Sequence, residues 1–360
     1  MNTRQVSLAL LVGVALLGAA GWLATRNDGS TSNSDAGSRL SPQLKARINS
    51  VDEIRLRKGD GTRTTLRRSG TAWTVVERAY PADTGKVRRL LLDLGDLEAV
   101  EQKTRDPTRY GVLGVEDLAS PAATGNLVEV QAGNTKLLSI IVGKASGARE
   151  SYVRPLPGVI TYLAKPQLTP DATPQRWLDT ALLDIKPERV RSVAIALVDA
   201  TPYVAERATR NVADLTISKL PRGRVISGPS AATGLASALA DLALEDVVAD
   251  SRVRATAADA VPTATVTTFD GLTVVLQGRA DGERRFVTVT LTSAAGSGAA
   301  ANATALETAA LRARVAGWSF EIPAYKYSAL FRPLDEMLLP VVPSAGLARP
   351  RNEEQRRGSQ

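Results

Sequence analysis

Asp93 and Asp96 stand three residues apart in a stretch of helical periodicity, a spacing at which two carboxylates can divide acid and base work. Lys144 lies two residues before Ser146, the types from which a Ser–Lys nucleophile is built. Both patterns have a blander reading. The aspartates fall opposite the leucine stripe of their own helix, where a solvated face belongs, and the lysine–serine spacing is common in loops. The chain has no histidine and no cysteine. The first absence removes the commonest general base near neutral pH, the commonest transition-metal ligand and the usual partner of a catalytic serine. The second removes disulfides, thiolate nucleophiles and thiolate metal sites. The expectation is a protein that is not an enzyme and has no cofactor and no metal.

Aromatic and arginine residues are the remaining candidates. Trp73, Trp177 and Trp318 could line a groove, but indoles beside strands are expected in the core. Tyr152, Arg154 and Tyr162 alternate with residues that should face inward, so some of them should face outward. Tyr325, Tyr327 and Arg332 occupy the corresponding place later in the chain. If two halves met around a pseudo-twofold axis, these six residues could face one cleft for a ligand or partner.

The elements that would position them follow from hydrophobic pattern. Val6 to Ala24 is an almost unbroken apolar run, close to the roughly 20 residues needed to cross a bilayer as one helix. Arg4 precedes it, and Trp22 sits near its outer end, where an indole favours the interface. The expectation is a cytoplasmic end at 1–5, a single transmembrane anchor at 6–24 in the inner membrane, and the bulk of the chain on the periplasmic or extracytoplasmic side. A cleaved signal peptide, with Gly18, Ala19 and Ala20 near its cut, is the competing reading. Without cysteine there is no lipoprotein anchor. A flexible linker is expected at 25–45 and a disordered basic tail at 341–360, containing Arg349, Arg351, Arg356 and Arg357. The formal charge is +8. Outside the cytosol nucleic acid is a poor partner, and anionic lipid, acidic envelope polymers or an acidic protein face are better ones.

From Val51, apolar residues alternate through Ile54 and Leu56, then Thr65 and Leu66, then Trp73 and Val75, with glycine turns between, which predicts a three-stranded meander. After Pro81 a helical stripe follows at Val87, Leu90, Leu91, Leu94 and Leu97. Strands are predicted at 127–131, 137–142, 151–154 and 160–163. A second pass starts near Val190: Val193, Ile195 and Leu197, then Leu215 and Ile217, then a helix after Pro229 with Leu235, Leu239 and Leu242. Strands at 263–269, 272–277 and 286–291 complete it, with a flexible Ala/Gly/Ser-rich loop at 293–304. Each half is expected to close with an aromatic strand and a short helix: Tyr152 to Tyr162 then Trp177 to Ile185, and Trp318 to Tyr327 then Leu330 to Leu339. The predicted fold class is α+β. Tandem duplicated lobes at 46–188 and 189–340 each carry a mainly antiparallel sheet packed with an amphipathic helix.

The order of several short motifs resembles a bacterial family, domain of unknown function 4340. They are Trp73 with Val75, Ala82-Asp83 before the leucine-striped helix, Tyr110-Gly111-Val112, Tyr152-Val153-Arg154, and Gly317-Trp318 through Ile322-Pro323-Ala324-Tyr325. The resemblance runs from about Val51 to Leu339. It implies a membrane-anchored protein of the kind often encoded beside gliding-type ABC export systems, hence an accessory subunit whose partners are an ABC-type permease or its auxiliary proteins. It supplies no catalytic residues. The leading expectation is therefore an anchored extracytoplasmic accessory protein of an ABC-type transport or cell-envelope complex. A binding module for an anionic envelope polysaccharide or lipid is the alternative, and a carboxylate-dependent hydrolase the third reading.

Overall fold

Alternation of apolar and polar residues puts one face of each strand into the core and leaves the other outside, and this pattern organises the whole protein. The computed structural model describes residues 37–228, 230–250 and 261–340. The run Val6–Ala24, the first part of the expected linker and the tail 341–360 lie outside them. No helix among the described residues is long and apolar enough to cross a membrane. Two compact units are divided between Asp179 and Thr180.

The first unit begins with helix α1 (Pro42–Arg47), whose Leu44 is buried. The meander follows as β1 (Glu53–Arg57), β2 (Arg63–Ser69) and β3 (Ala72–Val75), then the two-residue β4 (Tyr80–Pro81), helix α2 (Thr84–Gly95) and β5 (Glu98–Thr104). A 3-10 turn at Pro107–Arg109 leads into the short helix α3 (Tyr110–Leu113). Strands β6 (Asn126–Ala132), β7 (Thr135–Ser146), β8 (Glu150–Pro155) and β9 (Thr161–Lys165) complete the sheet. Helix α2 forms where its signals say it should. The Asp83 carboxylate caps it by accepting from the Lys86 amide at 3.0 Å. Val87, Leu90, Leu91 and Leu94 are buried, and each such side chain contributes about 1.5–3 kcal/mol.

The second unit contains β10 (Ala181–Leu183), β11 (Val190–Ala196), β12 (Tyr203–Glu206), β13 (Thr216–Ile217), helix α4 (Thr233–Ser237), β14 (Leu242–Ala243), β15 (Asp246–Ala249), β16 (Thr263–Thr268), β17 (Leu272–Asp281), β18 (Arg284–Ser293), helix α5 (Ala299–Val315), β19 (Trp318–Glu321) and helix α6 (Ala324–Leu330). Strands β10 and β14 pair with each other. The large sheets run β4-β3-β2-β1-β6-β7-β8-β9-β5 and β13-β12-β11-β16-β17-β18-β19-β15. Without the small β4, the second order is the first with ten added to every strand number. The ladders are antiparallel. The fold is α+β, with mostly antiparallel sheets and few helices.

Several expected elements differ. The stripe after Pro229 is not one helix: only Thr233–Ser237 is helical, Leu239 lies in a turn and Leu242 in β14. Its N-cap, Ala232, has no side-chain acceptor, Gly234 lowers helix propensity by about 1 kcal/mol, and Asp241 has a left-handed φ of 47°. The stretch Trp177 to Ile185 is not a closing helix. A 3-10 turn ends at Trp177, whose carbonyl accepts from the Asp83 amide at 2.8 Å, and the backbone is extended from Leu178, with Ala181–Leu183 in a ladder. The aromatic strand from Trp318 stops at Glu321, because Pro323 has no amide to donate, and Tyr325 and Tyr327 lie on α6. Leu330 to Leu339 holds only a 3-10 turn, Leu334–Met337, after Pro333. The Ala-rich segment expected as a flexible loop instead opens helix α5 from Ala299. Alanine is the best helix former, and the Thr304 and Thr308 hydroxyls donate to carbonyls four residues back.

Candidate functional site

Arg154 is the most constrained of the expected site residues. It is 4% exposed, and its Nε donates to the Val115 carbonyl at 2.9 Å, one Nη reaches the Gly158 carbonyl at 3.4 Å, and the other pairs with the Asp117 carboxylate. The guanidinium also lies 4.6 Å over the Tyr110 ring. Every part of it is engaged in fastening α3, the segment that follows it and the loop after β8. It does not line an open cleft. Tyr152, two residues away on the same face of β8, packs against Tyr110, Val115, Leu127 and Ile141. Tyr162 is the cross-strand partner of Val153, so it shares the opposite face. The expected trio is therefore split across the sheet.

In the second unit, Tyr325 is 70% exposed. Tyr327 stacks on Phe331 with centroids 4.6 Å apart and lies under the Arg285 guanidinium at 5.9 Å. Burial pushes its hydroxyl pKa up. Gly278 makes room for this pair, since a Cβ there would come within 2.7 Å of the Phe331 ring and of the Tyr327 hydroxyl. Arg332 turns elsewhere, to the Ala231 carbonyl at 3.3 Å and Glu336 at 3.6 Å, while its own carbonyl accepts from the Tyr203 hydroxyl at 2.7 Å. These three residues do not converge either. Trp73 and Trp177 are buried, with the Trp177 indole donating to the Asp171 carbonyl at 2.6 Å.

The residues considered for catalysis are occupied in ways that oppose it. Asp93 pairs with Arg89 one turn away at 2.9 Å, and Asp96 with Lys45 at 2.5 Å. The hydrogen bond from Lys45 holds the Asp96 carboxyl below its usual range, the reverse of what a general acid needs. Lys144 donates to the Val112 carbonyl at 2.8 Å rather than to Ser146. The buried carboxylates among the described residues are Glu53 and Asp246. They lie in different units, and each is matched by arginine, Glu53 by Arg55 and Arg67, and Asp246 by Arg284. Among the described residues no group of His, Cys, Asp and Glu could hold a metal.

Sequence reasoning missed two structural arginines in the second unit. Arg207 is 7% exposed and donates to the Val190, Val212, Ala213 and Pro187 carbonyls. Arg189 bridges Asp270 at 2.7 Å and Glu307 at 2.8 Å, tying α5 to the β16–β17 turn. Nothing local marks Arg189, whose acceptors lie 81 and 118 residues away, and the acceptors of Arg207 are backbone carbonyls, which carry no side-chain signal.

Two separate concave regions stand out, the first made of two adjoining hollows. The larger of these hollows, of ≈ 890 Å³, runs beside α2 and is lined by both signs of charge, including Arg89, Arg149, Lys165, Asp93 and Glu98. The second region, of ≈ 540 Å³, lies on the outer face of the second sheet over Ala194, Ala196, Val204, Thr263 and Thr265. The first is a charged groove whose acids are already paired, and the second has a floor of small side chains with Glu206 and Lys219 among its lining.

These features define a class, a protein of sheet-and-helix units with open sheet faces. The family described as Domain of unknown function (DUF4340) matches residues 73–267, and the chain belongs to it. None of the curated proteins and none of the solved structures matches the chain.

Proposed function

We propose that this protein is a single-span, membrane-anchored extracytoplasmic accessory subunit of an ABC-type transport or cell-envelope complex that works through protein contacts. The observation that carries the reading is the division of labour among polar groups. Arg154, Arg189 and Arg207 are engaged in fastening the chain to itself, while the outward side chains of β1 and β2 in the first unit and of β11 and β12 in the second include exposed ones. The apolar run Val6–Ala24 supports the anchor, and the matching strand orders support an internal duplication. Co-purification from detergent-solubilised membranes, followed by native mass spectrometry, tests the proposal. An ABC permease recovered in near-equal amount with this chain supports it. Recovery of the chain alone, across mild detergents that preserve known permease complexes, overturns it.

A further inference from the structure

We infer that the open face of the first sheet, centred on Arg57 and Arg63, is a docking surface for an acidic segment of a protein partner. This rests on the accessory-subunit reading and names the chemistry of its contact.

Strands β1 and β2 place Arg57 directly opposite Arg63, and on the same face Arg55 stands two residues from Arg57 and Arg67 four residues from Arg63. Like charges facing each other across an antiparallel pair are destabilising. Elsewhere on this face the charges are balanced: Arg55 and Arg67 reach Glu53 at 2.5 and 2.9 Å, and Lys136 reaches Glu129 at 2.7 Å. Among the described residues, Arg57 and Arg63 have no carboxylate partner, and both are exposed.

The second unit shows that the fold does not require them. Its strands β11, β12 and β16 form the same grid as β1, β2 and β6. Ala194 stands where Arg55 does, Ala196 where Arg57 does, and Glu206 where Arg67 does. Guanidinium groups recognise carboxylates through paired hydrogen bonds, so an acidic ligand is the complement.

The mosaic favours a protein over a lipid surface or a polyanionic glycan. Glu53 and Glu129 each hold neighbouring cations, so the uncompensated charge on this face is confined to Arg57 and Arg63, a footprint that suits one short acidic segment better than an extended anionic surface. An apolar rim also borders the face: Leu127, cross-strand partner of Arg57, is covered by Tyr110 and Val115, and Val112 on the same short helix is 70% exposed. Arginine beside apolar surface is the usual composition of a protein contact.

The test uses the full chain in detergent and a fluorescent deca-glutamate peptide read by anisotropy. R57E/R63E should weaken binding by about tenfold or more, while R88E/R105E, with the same change in net charge at exposed sites off this face, should change it by less than about twofold. R57A, which installs the residue found at position 196, is the milder variant and keeps the test valid if the double reversal does not fold. Equal losses in both double variants, or none in either, would overturn the inference. So would stronger arginine-dependent binding to phosphatidylglycerol vesicles or heparin than to the peptide. Peptide binding requires no permease, so loss of the permease in co-purification with peptide binding intact would sink the accessory role alone.

Discussion

The two units share a strand order but clothe it differently. In the first, a twelve-residue helix with an aspartate cap covers the inner face. In the second, the corresponding helix is five residues long and uncapped. The outer faces differ as well: arginines at Arg55, Arg57, Arg63 and Arg67 on one, and Ala194, Ala196, Val204 and Thr265 on the other. The comparison teaches that the strand order tolerates both a shorter helix at this place and an outside without the row of arginines. The long helix is then a stability feature of one unit, and the arginine face a feature that folding does not explain.

Core truncation should give the largest effect. Leu94→Ala in α2 is expected to cost about 3–5 kcal/mol, and Leu235→Ala in α4 nearer about 2 kcal/mol, since a short segment can collapse around the cavity. Equal costs in thermal melts would break the contrast between the covers.

The buried arginines come next, one from each unit. Arg154→Met and Arg207→Met should each lose about 2–4 kcal/mol, because both leave buried carbonyls without donors. Lysine should not rescue either, lacking the planar fork that reaches several acceptors at once. Rescue by lysine in both would show that charge, and not geometry, is what these positions need.

Arg189→Met should cost about 1–3 kcal/mol at neutral pH by removing the bridge between Asp270 and Glu307. Burial opposes ionisation of Asp270, but hydrogen bonds from Thr268 and Arg189 outweigh it and depress its pKa. A carboxyl depressed in the folded state stabilises above its unfolded pKa and loses that contribution as pH falls through the folded value. The difference between wild type and variant should therefore shrink below about pH 4. A difference that grows on acidification would contradict the assignment.

The smallest effect sharpens the comparison most. Arg63→Glu turns an opposed like-charge pair into an opposite pair, so it should stabilise the first unit by about 0.2–1 kcal/mol while weakening acidic-peptide binding. A destabilised variant would mean that Arg63 already serves the fold.

Much of the first unit was legible in the chain. Strict alternation at Ile54, Leu56 and Leu66 has period two, and the switch to the Val87–Leu94 stripe after Pro81 announces a helix, whose Asp83 cap is seen only in the structure. Helix α5 was not legible, because its apolar positions form no stripe: the buried residues are Thr304, Thr308 and Val315, and Leu306 is 73% exposed. Its alanines read as a loop only because glycine and serine precede them. The site was harder still. Alternation placed Tyr152 and Arg154 on one face, but nothing local says that a carbonyl at Val115 and a ring at Tyr110 wait there. Non-local acceptors for arginine leave no periodic trace.

The contrast between the two outer faces can be read directly in cells, with a photoreactive amino acid placed in the full chain at Arg57 or, in a second strain, at Ala196. The account predicts a discrete cross-link to a second protein from the first position, at an acidic stretch of that partner, and none from the second. Cross-links from Ala196 alone, or the same pattern from both positions, would contradict it.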